Sequence, residues 1–317
     1  MKLAFVQGNH DAWGSWGGSS LWNQCDRPEW GHNEAEHSLR LLEELNTKRV
    51  WCDIANFGDQ DLSAAPAYGM YDVIPSEAPA SVFQKYDYLI FIGWNTMTDD
   101  LYEKLYQYVE NGGKLLMTAA HLNYSSRRDG EKKYISNEKL EKLFGCQFTG
   151  ESVLSNDGVK FIDESLADLL YPGSKNKVGD PIYAAGYVSY LKMAPTSCRV
   201  VGERQDSFEN ISMELPLVIE NKVGNGVATL VTSENYPGHP ALYPLYRAIV
   251  REMVTQCART CEVQIFSSGA LRYAIYDGGK VYLLNTDLDL PIFVKIQKGT
   301  HEQLITLNPL ELKSIII

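Results

Sequence analysis

The segment from Tyr86 to His121 constrains the fold of this chain more than any other stretch. It contains an unbroken apolar run, Leu89–Ile92, which is typical of a β-strand buried on both faces. A second such run, Leu115–Met117, follows a helix-like segment and the pair Gly112-Gly113, which favours a left-handed helix stop. Strand, helix and strand in this order form the crossover unit of a parallel sheet. The segment therefore predicts an α/β fold.

The helix between the two predicted strands has a clear start and one apolar face. Thr98 is a favourable N-cap, and Asp99 and Asp100 place negative charge in the first turn, where the helix dipole stabilises it. Apolar residues then recur every four positions, so they form one stripe that would pack on the sheet. The members of this stripe are Leu101, Leu105 and Val109.

The charge of the chain argues against two classes of partner. The net charge over 317 residues is −11, and the pI is near 5.1. Nucleic acids and anionic membranes both require clustered Lys and Arg, so neither is an expected partner. No apolar run approaches the roughly 20 residues of a membrane-spanning helix. The chain has neither a Gly-x-Gly-x-x-Gly nor a P-loop motif, and no cofactor is predicted.

The cysteines and one short motif bear on metal binding. Six cysteines are scattered along the chain without a Cys-x-x-Cys pair, whereas zinc sites usually need two close pairs of ligands. The stretch Gly8-Asn9-His10-Asp11 is typical of metallophosphoesterases, but that family needs an Asp-x-His box upstream, and residues 1–7 hold none. No metal site is predicted. We expect reduced thiols in a cytoplasmic protein, or a periplasmic one if a leader was removed.

The pattern predicts two domains, 1–258 and 259–317. The first would contain the parallel sheet and, at residues 146–214, an inserted β region. Its other predicted elements are strands at Leu3–Val6 and Arg49–Ile54, a hairpin over residues 216–232, and a helix over residues 241–256 with Leu242, Leu245, Ile249 and Met253 facing inward.

The second domain is predicted to be a small antiparallel β-sandwich. Short strands with alternating apolar residues are separated by turns, and Asp277-Gly278-Gly279 is a strong hairpin signal. The predicted strands are Val263–Phe266, Leu271–Tyr276, Val281–Asn285, Ile292–Ile296, Gln303–Thr306 and Leu312–Ile317.

Three stretches carry a family resemblance: Tyr86–Ile92, Tyr108–Leu115 and Val223–Leu230. On these, the first domain resembles the class I glutamine amidotransferase-like fold, a doubly wound, mostly parallel, flavodoxin-like sheet. More narrowly, it is similar to the non-catalytic domain of certain glycoside hydrolases and phosphorylases, namely the trimerisation domain of one β-galactosidase family and its equivalent in galacto-N-biose phosphorylases. The second domain, with Leu307–Glu311, is similar to the C-terminal sandwich of the same β-galactosidases. Such motifs indicate a fold more than an activity.

The catalytic cysteine of the amidotransferases is missing from this chain. In that family the nucleophile stands in a Gly-x-Cys-x-Gly turn after the strand that corresponds to Leu115–Met117. This chain has Thr118-Ala119-Ala120-His121-Leu122 there, so it lacks both the thiol and the glycines that relieve strain in such a turn. Glutamine hydrolysis by the Cys–His–Glu mechanism is therefore not expected, and the resemblance implies a pseudoenzyme.

Candidate site residues follow several of the predicted strands. Ligands of open α/β sheets bind outside the carboxyl ends of the strands, and a long polar loop, residues 8–32, would lie there with four of the six tryptophans. The candidate acid–base residues, if the protein is an enzyme, are His10, Asp11, His121, Glu234 and His239. The candidate sugar-binding residues are Trp13, Trp16, Trp22, Trp30, His32, Trp94 and Tyr236.

Two functional hypotheses follow, and both have a carbohydrate as the ligand. In the first, the protein is an auxiliary one that binds sugar or acts in assembly, as a homo-oligomer or as part of a larger glycoside-active chain. In the second, it is a stand-alone glycan-active hydrolase that uses the His/Asp/Glu cluster at the C-terminal edge of the sheet. A simpler interpretation of the candidate residues is that the histidines are ordinary loop residues and the tryptophans anchor a loop or fill a core.

Overall fold

The structure, a computed structural model, divides into two compact units. The first, which we call the α/β unit, contains residues 2–41 and 72–252, and the second, the β unit, contains residues 1, 42–71 and 253–317. The residues that the structure describes are 2–8, 34–38, 40–43, 71–126, 131–156, 158–161, 187–205, 212–247, 249–250, 253, 261–276 and 278–317.

The α/β unit is built on an eight-stranded sheet with the order β2-β1-β3-β4-β10-β9-β8-β6. The first five strands in this order are parallel to one another, and the last three continue the sheet in antiparallel pairing. Their bounds are β1 Leu3–Gln7, β2 Asp72–Pro75, β3 Tyr88–Ile92, β4 Lys114–Thr118, β6 Gly158–Phe161, β8 Arg199–Gln205, β9 Ser212–Val223 and β10 Gly226–Val231. The prediction of an α/β fold with a parallel-strand sheet is confirmed.

The predicted crossover lies at the centre of this sheet. Helix α4, Asp99–Glu110, connects β3 to β4, and the Thr98 hydroxyl accepts a hydrogen bond from the Leu101 amide at 3.1 Å, as an N-cap does. Every residue of β3 is buried, which is why the sequence shows an unbroken apolar run there. The stripe Leu101, Leu105 and Val109 is buried in the core cluster on this face of the sheet.

Two strands of the unit were not predicted. Strand β2, at Asp72–Pro75, lies in a segment interpreted as a polar connection, because it is a short edge strand in which only Ile74 is buried. Strand β5, Cys146–Ser155, pairs with β7, Val188–Pro195, in a separate two-stranded sheet, and most of its residues are exposed. Neither strand therefore shows the apolar pattern that identifies a buried strand. The strand predicted at Arg49–Ile54 lies outside the described residues.

Short helices and turns complete the unit. The helices are α1 Glu34–His37, α2 Arg40–Glu43, which continues into residues of the β unit, α3 Ala80–Phe83 and α5 Asn137–Phe144. The predicted β9–β10 hairpin is confirmed, with Val223 paired to Gly226 across its turn. Residues 243–247 and 249–250 of this unit are helical, and Leu242, Leu245 and Ile249, predicted to face inward, are buried; Met253, assigned to the β unit, is also helical and buried.

The β unit contains two three-stranded antiparallel sheets, β11-β14-β15 and β12-β13-β16. One apolar cluster takes residues from both sheets, as in a β-sandwich. Gly278 and Gly279 have φ of 87° and 79°, which suits the tight turn predicted between β12 and β13. The six predicted strands are present: β11 Val263–Phe266, β12 Leu271–Tyr276, β13 Lys280–Asn285, β14 Ile292–Lys298, β15 His301–Leu307 and β16 Leu312–Ile316. The domain boundary at residue 259 and the insertion at 146–214 stay predictions.

Among the described residues, no helix has the length and apolar character needed to cross a membrane.

Candidate functional site

Several of the candidate residues lie at the carboxyl ends of the parallel strands. Trp94 follows β3, His121 follows β4, and Glu234 and Tyr236 lie in the loop after β10. Strands β3, β4 and β10 are consecutive neighbours in the sheet, so the segments that follow them meet at one edge. We call this edge, with the loop of residues 232–239, the carboxyl-edge site.

The site depends on a close approach between two strand ends. Gly8, just after β1, passes so near the end of β3 that a Cβ atom there would lie 1.8 Å from the Trp94 carbonyl oxygen and 2.7 Å from the Asn95 amide nitrogen. Only glycine permits this distance. Trp94 and Asn95 are themselves buried, and the Asn95 side-chain amide donates to the His121 carbonyl at 3.2 Å. The segments after β1, β3 and β4 are therefore held together by a close backbone approach at Gly8 and by the Asn95 side chain.

His121 is fully buried and forms part of a short 3₁₀ turn, Ala119–Leu122, at the tip of β4. Its Nδ1 atom accepts a hydrogen bond from the Thr118 amide at 3.0 Å, and the Thr118 hydroxyl accepts from the His121 amide, so the two residues form a capping box. Since Nδ1 is an acceptor, the neutral ring carries its proton on Nε2. Burial lowers the pKa of His121 to about 3, although hydrogen bonds to the Gly93 and Thr118 backbone oppose this.

Aromatic rings enclose the His121 imidazole. The Phe91 ring lies edge-on at a centroid distance of 5.6 Å, and the Tyr236 ring lies edge-on at 5.2 Å. Such edge-to-face contacts favour a fixed ring orientation. His121 is thus a neutral residue that satisfies a backbone amide and fills the space between two strands.

Glu234 is held by three donors from two separate segments of the chain. The Ser189 hydroxyl donates to Oε2 at 2.5 Å, the Tyr134 hydroxyl donates to Oε1 at 2.6 Å, and the Lys132 ammonium lies 3.5 Å from Oε1. Burial raises the pKa of the carboxyl group, but the hydrogen bonds from Ser189 and Tyr134 and the charge of Lys132 outweigh it, and the net shift is downward. Glu234 is therefore an ionised acceptor at neutral pH.

The lowered pKa of Glu234 predicts a contribution to stability that depends on pH. A carboxyl group with a lower pKa in the folded state stabilises the fold above its unfolded pKa, and this stability is lost as the pH falls through the folded pKa. We expect Glu234→Gln to lower the free energy of unfolding by about 2 kcal/mol at pH 7, because three donors lose a charged acceptor in a half-buried site. The difference from wild type should shrink below about pH 4.5, as measured by urea unfolding across a pH series.

Glu220→Gln is the matched control for this measurement. Glu220 binds the largely exposed Arg199 at the sheet surface, so its replacement should cost under about 1 kcal/mol. A Glu234→Gln protein as stable as the Glu220→Gln protein at pH 7 would show that the contacts of Glu234 contribute little to the folded state.

A second carboxylate, Glu34, ties α1 to the loop after β10. The Asn235 side-chain amide donates to its two oxygens at 3.0 and 3.1 Å, and the Tyr236 amide donates to Oε2 at 3.3 Å. His239 Nε2 lies 3.7 Å from Oε1, while His239 Nδ1 accepts from the Ala241 amide at 3.2 Å. The same loop makes a further contact with the chain just after α1, where the Gly238 amide donates to the Ser38 hydroxyl at 2.9 Å. Glu34 thus acts as a clamp on the loop.

The structure brings five of the candidate catalytic or binding residues into this site: Trp94, His121, Glu234, Tyr236 and His239. The sequence analysis missed their partners Tyr134 and Ser189, which lie 100 and 45 residues from Glu234 and show no local signal. Seven candidates lie outside the described residues: His10, Asp11, Trp13, Trp16, Trp22, Trp30 and His32. Across the described part of the chain, no group of three or more His, Cys, Asp or Glu residues could hold a metal ion.

The geometry of the site suits binding or structural support better than proton transfer. Nδ1 of His121 is already occupied, and the ring is inaccessible. Both oxygens of Glu234 accept hydrogen bonds from protein donors, and so do both oxygens of Glu34. A general base needs a free lone pair directed at its substrate, whereas each of these four carboxylate oxygens is already oriented by at least one donor from the protein.

Solved structures show a similar fold. The GH42 β-galactosidase Gan42B from G. stearothermophilus has 14% sequence identity and a TM-score of 0.53, with 99% of this chain and 40% of that chain covered. A β-galactosidase from the haloarchaeon Halorubrum lacusprofundi has 14% identity and a TM-score of 0.54, with coverage of 100% and 40%. This chain therefore spans about 40% of the length of these structures. At such identities the likeness concerns the fold alone.

The family comparison goes further than the structural one. No curated protein gave a significant match. The family model of the β-galactosidase trimerisation domain matches residues 70–256, which include β2 to β10 and the carboxyl-edge site except for β1 and α1. This match covers more than half of the 317 residues, and the chain therefore belongs to the β-galactosidase trimerisation-domain family.

Proposed function

We propose that the protein is a carbohydrate-associated assembly domain without catalytic activity of its own, which acts in oligomer formation or as part of a glycoside hydrolase or phosphorylase. The observation that carries this proposal is the tip of β4. A flavodoxin-like amidotransferase would have a strained turn with a cysteine there, whereas this chain has buried Ala119 and Ala120 in a capped 3₁₀ turn. The turn stabilises the strand end and presents no nucleophile.

The strand order supports the finer description of the fold as flavodoxin-like. The parallel strands have the order β2-β1-β3-β4-β10, with β10 as the fifth parallel strand. This corresponds to the order 2-1-3-4-5 of flavodoxin-like sheets. The antiparallel strands β9, β8 and β6 extend the sheet beyond the fifth strand.

The family and the surface of the α/β unit support an assembly role. The β-galactosidases of similar fold are more than twice as long as this chain, so a glycoside-active partner or a longer polypeptide would supply the catalytic machinery. Leu154 on β5 and Tyr187 just before β7 are 65% and 61% exposed. By strand alternation they lie on the same face of the two-stranded sheet as Ser189, which binds Glu234. Exposed apolar side chains of this kind often mark an interface.

We expect light scattering coupled to size exclusion to give a mass of about three times 35.6 kDa for the full chain at micromolar concentration. Leu154→Glu should shift the protein towards the single-chain mass, because a charge would be buried in the interface. Phe293→Glu is the matched control, since Phe293 is 75% exposed but lies in the β unit, outside the matched family segment. A monomer at every concentration would contradict self-assembly, and an oligomer insensitive to Leu154→Glu would place the interface elsewhere.

Sugar binding is the second part of the proposal. Tryptophan fluorescence should change on titration with galactose-containing oligosaccharides, because four of the six tryptophans lie between residues 8 and 32, the segment proposed from the sequence for sugar binding. If the fluorescence does not change with any oligosaccharide of such a panel, the proposal of sugar binding is wrong and only the assembly role stands.

The alternative, a stand-alone glycan-active hydrolase, has less support from the described residues. His121 is buried and the oxygens of Glu234 and Glu34 are occupied. Turnover of any substrate on a broad glycan panel, abolished by Glu234→Gln in a protein that is still folded, would favour this alternative over the assembly role.

A further inference from the structure

Two cysteines are brought near each other by the backbone where α5 passes into β5. Cys146 is the first residue of β5 and is buried in the core cluster of the α/β unit. Cys198 lies in the turn between β7 and β8, is partly exposed, and packs against the same cluster. Both are free cysteines, and neither has a role in the carboxyl-edge site.

Backbone hydrogen bonds hold the two cysteines in proximity. The amides of Thr196, Ser197 and Cys198 all donate to the Gly145 carbonyl, at 2.8, 3.0 and 3.2 Å. That carbonyl belongs to the peptide that joins Gly145 to Cys146. By standard backbone dimensions, the Cα atoms of the two cysteines are therefore at most about 7 Å apart. Disulfides bridge Cα separations of about 4.4–6.8 Å, and this upper limit allows such a separation.

The turn that carries Cys198 is fixed from a second direction. The Ser197 hydroxyl donates to the Asn221 Oδ1 atom at 3.3 Å, and the Asn221 Nδ2 atom donates to the Leu143 carbonyl at 3.1 Å. Asn221 on β9 thus links the turn to the end of α5. Both cysteines are attached to this network, which limits the cost in entropy of joining them.

We propose that Cys146 and Cys198 form an intramolecular disulfide when the folded protein meets a small-molecule disulfide such as oxidised glutathione. The partly exposed Cys198 thiolate attacks one sulfur of the oxidant, and the displaced glutathione thiolate takes up a proton. The Cys146 thiolate then attacks the Cys198 sulfur and displaces the second glutathione. Two protein thiols are oxidised, and one glutathione disulfide is reduced to two thiols.

The environment of the pair predicts slow oxidation near neutral pH. Burial, with a smaller effect of negative charge on Cys198, raises the pKa of Cys146 to about 12, and burial also raises the pKa of Cys198. Only the thiolate attacks a disulfide, and below the thiol pKa the thiolate fraction rises about tenfold per pH unit. The rate of disulfide formation should therefore be about tenfold higher at pH 8 than at pH 7. The pair would stay reduced in a reducing compartment and would act as a modification site when the surroundings become oxidising.

The experiment uses the folded 317-residue protein. It is incubated with oxidised glutathione, alkylated, digested without reduction, and analysed by mass spectrometry. We expect one linked peptide pair that joins Cys146 to Cys198. The melting temperature should rise by about 5–10 °C, because the crosslink closes a loop of some fifty residues in the unfolded chain, and dithiothreitol should reverse the rise.

Two single substitutions complete the test. Cys198→Ser should abolish both the linked peptide and the rise in melting temperature. Cys261→Ser, which removes another partly exposed free cysteine, should leave both unchanged. The proposal is overturned if glutathione stays attached to Cys198 without displacement, or if the Cys146–Cys198 link forms only after oxidation in denaturant.

Discussion

Replacing Gly8 with alanine is expected to lower the free energy of unfolding by about 3 kcal/mol or more. The added methyl group would lie 1.8 Å from the Trp94 carbonyl oxygen and 2.1 Å from its carbonyl carbon. Both are backbone atoms, so no side-chain rotation can relieve the overlap. Strand β1 pairs with β2 and β3, and a shift at its end would disturb both pairings. Urea unfolding followed by circular dichroism measures the loss.

Gly202→Ala is the matched control. Its added methyl group would meet side-chain atoms of Val159 and Val218 at 3.2 Å, and these side chains can adjust. The cost there should stay below about 1 kcal/mol. If the two alanine variants prove equally stable, the approach of β1 to the end of β3 is not as tight as the structure has it.

The second large effect is expected from His121→Ala, which should cost about 2–4 kcal/mol. The change leaves the buried Thr118 amide without its acceptor and opens a space between the Phe91 and Tyr236 rings. His121→Gln, which keeps an acceptor, should recover part of the loss. An alanine variant as stable as wild type would show that the capping contact is dispensable.

The pH dependence separates His121 from Glu234. The folded pKa of His121, about 3, lies below the ordinary value of 6.5, so between these values the unfolded state binds more protons than the folded state. Wild-type stability should therefore fall as the pH drops from 6.5 towards 3, and His121→Gln should lack this component. The Glu234 component is lost only below about pH 4.5, so the difference in stability between wild type and His121→Gln from about pH 6.5 to 5 reports the His121 component.

The sequence predicted the centre of the α/β unit because the signals there are local. An apolar run, an N-cap and a glycine pair identify β3, α4 and β4 within a stretch of some thirty residues. Strands β2 and β5 were not predicted from the sequence, because β2 is a short edge strand and β5 is mostly exposed. Such strands are fixed by backbone pairing with strands that are distant in sequence. Their side chains do not show the apolar run or alternation by which a buried strand is recognised.

The carboxyl-edge site was predictable in location but not in its contacts. A residue that follows a parallel strand lies at the ligand-binding edge, which located His121 and Glu234. The capping role of His121 depends on the hydrogen-bond geometry at Thr118, and the environment of Glu234 depends on Tyr134 and Ser189. Such pairings follow from the tertiary packing and could not be inferred from spacing along the chain.

The clamp formed by Glu34 has a consequence for the order in which the molecule folds. Its hydrogen bond to Asn235 joins residues 201 positions apart, whereas the β9–β10 hairpin joins close neighbours and can form early. Closing so long a loop costs entropy that only an already assembled sheet can offset. A chain emerging from the ribosome therefore keeps α1 undocked until Asn235 has been synthesised, and the carboxyl edge is completed only after that.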